Sequence, residues 1–167
     1  MRIIHESLPA GRQGFTLIES VVVIAILSII ALVSMNTITE FQRNAILSSA
    51  TQELGSTLRV AKANSTAGLV KTGESYTDTG YPYYGVALTG NVYQLTRTFT
   101  LMSGSPTTET IESHAIDPSI TMTPISATVT FTRITGEPNA GVTFTLTRTG
   151  TTTSRTVTVS ANGLISL

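Results

Sequence analysis

A chain of 167 residues with ten basic and ten acidic side chains carries no net charge, so no global field draws it to nucleic acid or to an anionic surface. It contains no cysteine, which excludes disulfides, thiol nucleophiles and thiolate metal sites. Charged residues make up 12% of the sequence, about half the usual share, and the serine and threonine that replace them suit strands with a solvated face.

Residues 1–13 are short and net positive through Arg2 and Arg12, and Pro9 and Gly11 interrupt them. They read as a leader held on the cytoplasmic side, because basic residues beside a span bias that side inward. From Phe15 to Met35 run 21 residues with a single charge, Glu19. As a helix they reach about 31 Å, one bilayer core. Thirteen of them are Phe, Leu, Ile or Val, contributing about −4 to −8 kcal/mol to insertion, against about +2.5 to +3.5 for an acid at the centre and less near the edge. The run is longer than a secretory signal core and no A-x-A-like site follows it, so a cut is placed ahead of it, at Gly14. An acid inside such a span is a functional residue that calls for a partner.

Between Asn36 and Ala67 the helix is expected to continue as an amphipathic one. Ile38, Phe41, Ala45, Leu47, Ala50, Leu54, Leu58 and Ala61 recur at three- and four-residue steps, with Glu40, Arg43, Glu53, Arg59 and Lys62 off that stripe. The join at 36–39 is poor in helix propensity and reads as a weak point. Gly68 offers a helix end, and Gly73, Gly80 and Pro82 mark a loop. Strands follow at Tyr84–Leu88 and Val92–Leu101 around Thr89-Gly90-Asn91, then at Thr110–Ile116 and Ser119–Thr123 flanking Asp117-Pro118. The clearest alternation is in Ala127–Arg133, Val142–Arg148 and Arg155–Ser160. There Ala127, Val129, Phe131, Val142, Phe144, Leu146, Val157 and Val159 face one way and threonines the other. About a quarter of residues 70–167 are threonine. The expected fold is α+β: a leader (1–14), a long N-terminal helix with a membrane half and an amphipathic half (15–67), and an antiparallel β-sandwich domain of seven or eight short strands (68–167).

No enzyme constellation emerges. His114 lies in Glu112-Ser113-His114 with Asp117 close in sequence, but adjacent strand residues point to opposite faces, whereas a Ser/His/Asp triad must converge. Asp78 and Asp117 are isolated, so no acidic cluster supplies the oxygens calcium takes, and neither a metal nor a cofactor is expected. An enzyme on a membrane anchor is disfavoured by this shortage of clustered titratable groups. Arg133, Arg148 and Arg155 end or begin strands and are the candidates for touching phosphates if they gather at one end of the sheet; the competing reading is solubilising strand-end charge.

The string Gly14-Phe15-Thr16-Leu17-Ile18-Glu19, behind a short basic leader and ahead of Val21–Val33, resembles the N-terminus of the type IV pilin superfamily. The resemblance implies cleavage after Gly14 by a prepilin peptidase and N-methylation of the new terminal Phe15. It implies pairing of Glu19 with the terminal amine of a neighbouring subunit as helices bundle into a filament. It further implies residence as a single-pass protein in the inner-membrane lipid, N-terminus cytoplasmic, before assembly. The partners are then other pilins or pseudopilins, contacted through the N-terminal helix, and an inner-membrane assembly platform.

Tyr84–Leu88 and the run from Val129 through Gly136, Phe144 and Asn162-Gly163 are similar to the H-type minor pseudopilins of type II secretion and to related minor type IV pilins. Departures are visible. Ser28 and Asn36 stand where many major pilins have Gly and Pro, and the usual disulfide loop is missing. The alternative role, a DNA-binding minor pilin of a competence filament, is weakened by an end at Gly163-Leu-Ile-Ser-Leu that has no basic residue.

Overall fold

The computed structural model describes residues 15–70, 72–76, 80–102 and 104–167, and of residues 33–37 the backbone alone. The leader with Gly14, and also Lys71 and Asp78, lie outside the described residues. The architecture is the expected α+β: one helix, α1 (Leu17–Thr66), then β1 (Tyr83–Thr89), β2 (Val92–Phe99), β3 (Thr107–Ala115), β4 (Ile120–Thr123), β5 (Ser126–Phe131), β6 (Val142–Arg148), β7 (Ser154–Val159) and β8 (Ile165–Ser166). The chain divides into two units, residues 1–42 and 43–167.

In the first unit the backbone stays helical across 36–39 despite the poor propensity there. Ile38 and Phe41, expected on the buried stripe, are 55% and 74% exposed. The correction has a simple cause: apolar spacing on a helix predicts a face but not what, if anything, covers it.

In the second unit the strands form two four-stranded antiparallel sheets, β3-β2-β1-β5 and β4-β6-β7-β8. The strand residues expected to face inward do so, whereas Ala45 of the expected helical stripe is exposed. Val86, Leu88, Tyr93, Leu95, Val129 and Phe131 from the first sheet share one core with Ile120, Met122, Phe144, Leu146, Val157 and Val159 from the second. Ala127 and Val142 pack at its margin. The same core takes Leu47, Leu54, Leu58 and Ala61 of α1, and buried Thr51 and Ser65 complete that helical face. Positions 47, 51, 54, 58, 61 and 65 repeat every three or four residues, the period of a helix presenting one face. The outer faces carry threonine in cross-strand pairs, Thr98 with Thr108 at 2.9 Å and Thr143 with Thr158 at 3.3 Å.

The helix ends in a Schellman cap. Gly68 takes φ +61°, its N–H donates to Ser65 O at 3.1 Å, and Leu69 N–H donates to Asn64 O at 3.3 Å. Polar contacts then fix α1 against both sheets. Ser65 Oγ accepts from Tyr84 N–H at 2.8 Å and donates to Tyr84 O at 3.3 Å, closing β1 onto the last helical turn. Lys62 Nζ donates to Gly163 O at 2.8 Å, in the turn between β7 and β8.

A second polar network was not legible from the sequence. Arg97 on β2 is buried, 2.7 Å from Glu109 on β3 and 3.2 Å from Glu74 in the loop after α1. Its guanidinium lies 4.4 Å over the Phe99 ring, and Tyr76 hydrogen-bonds Glu74 beside it. This arginine anchors the loop to the sheet.

Ser65→Ala strands the buried Tyr84 N–H without its acceptor. We expect a loss of about 1–3 kcal/mol in chemical denaturation of the purified protein; an unchanged midpoint means that this clamp contributes nothing.

Candidate functional site

The N-terminal segment begins with a helix start. Thr16 precedes the first helical residue, and its Oγ1 accepts from Glu19 N–H at 3.3 Å. Thr16 is thus the N-cap and Glu19 the third helical residue, the T-x-x-E arrangement of a capping box, with the acid at the positive end of the helix dipole. This local role for Glu19 was available in the sequence and adds to the pairing role inferred from the resemblance. Ser28, the polar residue midway along the apolar run, returns its hydroxyl to Ile24 O at 2.8 Å, satisfying its donor inside the helix.

Around these residues the helix is apolar on all sides. Phe15, Leu17, Ile18, Val21, Val22, Val23, Ile24, Ile26, Leu27, Ile29, Ile30 and Leu32 are all exposed, Phe15 by 79% and Leu32 by 70%. A helix hydrophobic all round is stable only inside lipid or among other apolar surfaces. Among the described residues no helix is long and apolar enough to cross a membrane. With the side chains of 33–37 outside them, the apolar run is represented by residues 17–32, about 24 Å of helix.

The sheet domain presents a second polar cluster where α1 meets the first sheet. His114 Nδ1 lies 2.8 Å from Glu53 Oε1 on α1, and Nε2 lies 3.1 Å from Glu112 Oε1, close but outside hydrogen-bond geometry. The imidazole stacks on Tyr93, with centroids 5.0 Å apart and planes at 12°. Asp117 is engaged elsewhere: its Oδ1 accepts from Ser119 N–H at 2.8 Å and from Ser119 Oγ at 2.6 Å. Those two bonds hold its carboxyl below the ordinary aspartate range. Ser, His and Asp do not converge here. The His114 cluster instead ties β3 to α1, and among the described residues no acidic or histidine group is arranged to hold a metal.

The three arginines are not gathered. Arg148, opposite Ile120, and Arg155, opposite Leu146, have the inward parity of the second sheet. Arg148 is buried and shares a cleft with Arg43, while Arg155 lines another with Ser48 and Gln52 of α1. Arg133 belongs to the first sheet and lies past the end of β5, in the turn 132–136, stacked 4.1 Å over Tyr81. That turn holds Ile134 at φ +74°, a left-handed conformation disfavoured for a β-branched residue. A track of adjacent phosphate contacts is therefore absent among these three side chains.

Comparison with known proteins gives one match. The prokaryotic N-terminal methylation motif matches residues 9–35, the segment that holds Gly14, Phe15, Thr16 and Glu19. No curated protein and no solved structure matches the chain. The matched motif is the N-terminal signal of pilin-type proteins that a prepilin peptidase processes. It supports a structural subunit that is first anchored in a membrane and then assembled with pilin-type proteins.

Tyr93 supplies a pH test of the seam. Its hydroxyl is buried beside Glu53 and Thr57 without meeting hydrogen-bond geometry. Burial first, then the Glu53 carboxylate, push the phenol well above its ordinary value. A raised folded pKa means that its contribution is full below the unfolded value, about 10, and is lost as pH rises through the folded value. Tyr93→Phe should stay within about 1 kcal/mol of wild type at neutral pH and flatten the loss of stability above about pH 10. Urea denaturation as a function of pH checks this; an alkaline limb as steep as wild type contradicts it.

Proposed function

We propose that this chain is the precursor of a structural minor pilin or pseudopilin, built into a type II secretion pseudopilus or a type IV pilus, with no catalytic role. The observation that carries this reading is the methylation motif over residues 9–35. The all-round apolar exposure of the helix that follows supports it.

In this reading prepilin peptidase cuts between Gly14 and Phe15 on the cytoplasmic face, and Phe15 becomes the N-methylated terminus. The apolar helix spans the inner membrane once, with the sheet domain outside the cytoplasm. An inner-membrane assembly platform then transfers the subunit into the filament, where the same apolar surface packs on other pilins or pseudopilins. Glu19 stands within one helical turn of the new terminus. A carboxylate and an ammonium are each costly alone in low dielectric and offset each other when paired.

Co-expression with a prepilin peptidase should shorten the chain by residues 1–14, and Gly14→Ala should largely block the cut. Mass spectrometry reads both, and a wild-type chain that stays full length overturns the proposal.

The two roles of Glu19 separate by substitution. Gln keeps a capping group at the third helical residue but removes the charge, whereas Ala removes both. Glu19→Ala and Glu19→Gln should both be processed and inserted, and both should enter filaments at least about tenfold less than wild type, a deficit equivalent to about 1.4 kcal/mol. Filament incorporation of the Gln variant at the wild-type level would show that capping is the whole role of this acid.

A further inference from the structure

A cleft of about 430 Å³ opens beside the end of β5, lined by Tyr81, Tyr83, Thr130, Phe131, Arg133 and Asn139. That size suits a small ligand. No carboxylate lines it, and among the described residues the Arg133 guanidinium makes no ion pair or hydrogen bond. The guanidinium is held in place all the same. Tyr81 lies 4.1 Å beneath it, and Gly68 lies close by, since a Cβ there would stand 3.1 Å from Arg133 Nε. The result is a positioned fork of donors with no anion of its own. The hydroxyls of Tyr81, Tyr83 and Thr130 also have no hydrogen-bond partner among the described residues, and both tyrosine rings are partly exposed, at 41% and 38%.

These features narrow the ligand. One unpaired guanidinium asks for one negative group. Ring faces with hydroxyl tips, beside a threonine, suit a compact molecule with an apolar face and a rim of hydroxyls. An extended peptide added as a strand is blocked, because Asn139 Oδ1 accepts from Thr130 N–H at 3.0 Å, Asn139 Nδ2 donates to Thr128 O at 3.4 Å, and Phe131 bridges to Pro138. A nucleic-acid strand needs a run of phosphate contacts, and Arg148 and Arg155 line other clefts.

We propose that this cleft binds an acidic sugar, a uronic-acid residue of a polysaccharide. Arg133 takes the carboxylate, and the Tyr81 and Tyr83 side chains take the ring and its hydroxyls. The inference is independent of the filament reading, and its test uses no processing or assembly readout.

The full chain, purified in detergent, is titrated with digalacturonate and with the neutral digalactose by saturation-transfer difference NMR. Saturable binding of digalacturonate is expected, with digalactose at least about tenfold weaker. Arg133→Gln and Tyr83→Ala should weaken it by about tenfold and several-fold respectively, and Arg155→Gln should leave it unchanged. If Arg133→Gln fails to fold by circular dichroism, Arg133→Lys keeps the charge without the planar fork and should weaken binding at least about fivefold. Absence of saturable binding, equal affinity for the neutral sugar, indifference to the Arg133 variants, or tighter binding of a glutamate-rich peptide overturns the proposal.

Discussion

The second unit depends on one helical face. A four-stranded sheet with its inner face open to water has no stable core of its own, and here two such sheets and the stripe at Leu47, Leu54, Leu58 and Ala61 bury their apolar side chains in a single cluster. Apolar burial is non-directional and sets no register. The register comes from polar contacts along the same helix: Glu53 to His114 on β3, Lys62 to the turn at Gly163, and Ser65 to β1. Each reaches a different part of the two sheets, so sliding or rotating the helix breaks several at once. Small residues at 61 and 65 let the helix approach closely where β1 is clamped.

The N-terminal half of the same helix obeys a different logic. Its large apolar side chains between Leu17 and Leu32 are exposed in a single chain, the condition of a surface that an apolar medium or partner would cover. The local chemistry is arranged for that. Thr16 Oγ1 satisfies the Glu19 N–H at the helix start, and Ser28 satisfies itself through Ile24 O. Glu19 has a local part in this, since its N–H donates to Thr16 Oγ1 and its carboxyl stands at the positive end of the helix dipole; the intermolecular pairing belongs to the proposed function.

Much of this was legible in the sequence, because two periods carry it. Val129 and Phe131, Phe144 and Leu146, and Val157 and Val159 alternate with threonine, and each lands in the core. Pairing partners were not legible. Alternation says which side faces inward but not which strand lies next door, and β4 joins the second sheet before β5 returns to the first. β3 has no alternation to read, since as an edge strand it is exposed on both faces. Arg97, Arg148 and the Arg133–Tyr81 stack were missed for a related reason. A buried or stacked arginine is defined by partners far away in sequence, and its own neighbours carry no trace of them. The capping box at Thr16 and Glu19 was the opposite case, a local signal hidden behind the more conspicuous apolar run.

The threonine pairs across both sheets have a consequence for the way this domain meets its surroundings. Outer faces built from hydroxyls interact through short-range hydrogen bonds and shape, with few formal charges to screen. The Debye length shrinks from about 30 Å in dilute buffer to about 3 Å in molar salt, a range over which charge-steered contacts fade. Surfaces of the kind formed by Thr98 and Thr108 or by Thr143 and Thr158 keep their contact energy through that whole span. Contacts made through such faces are expected to change little with added salt.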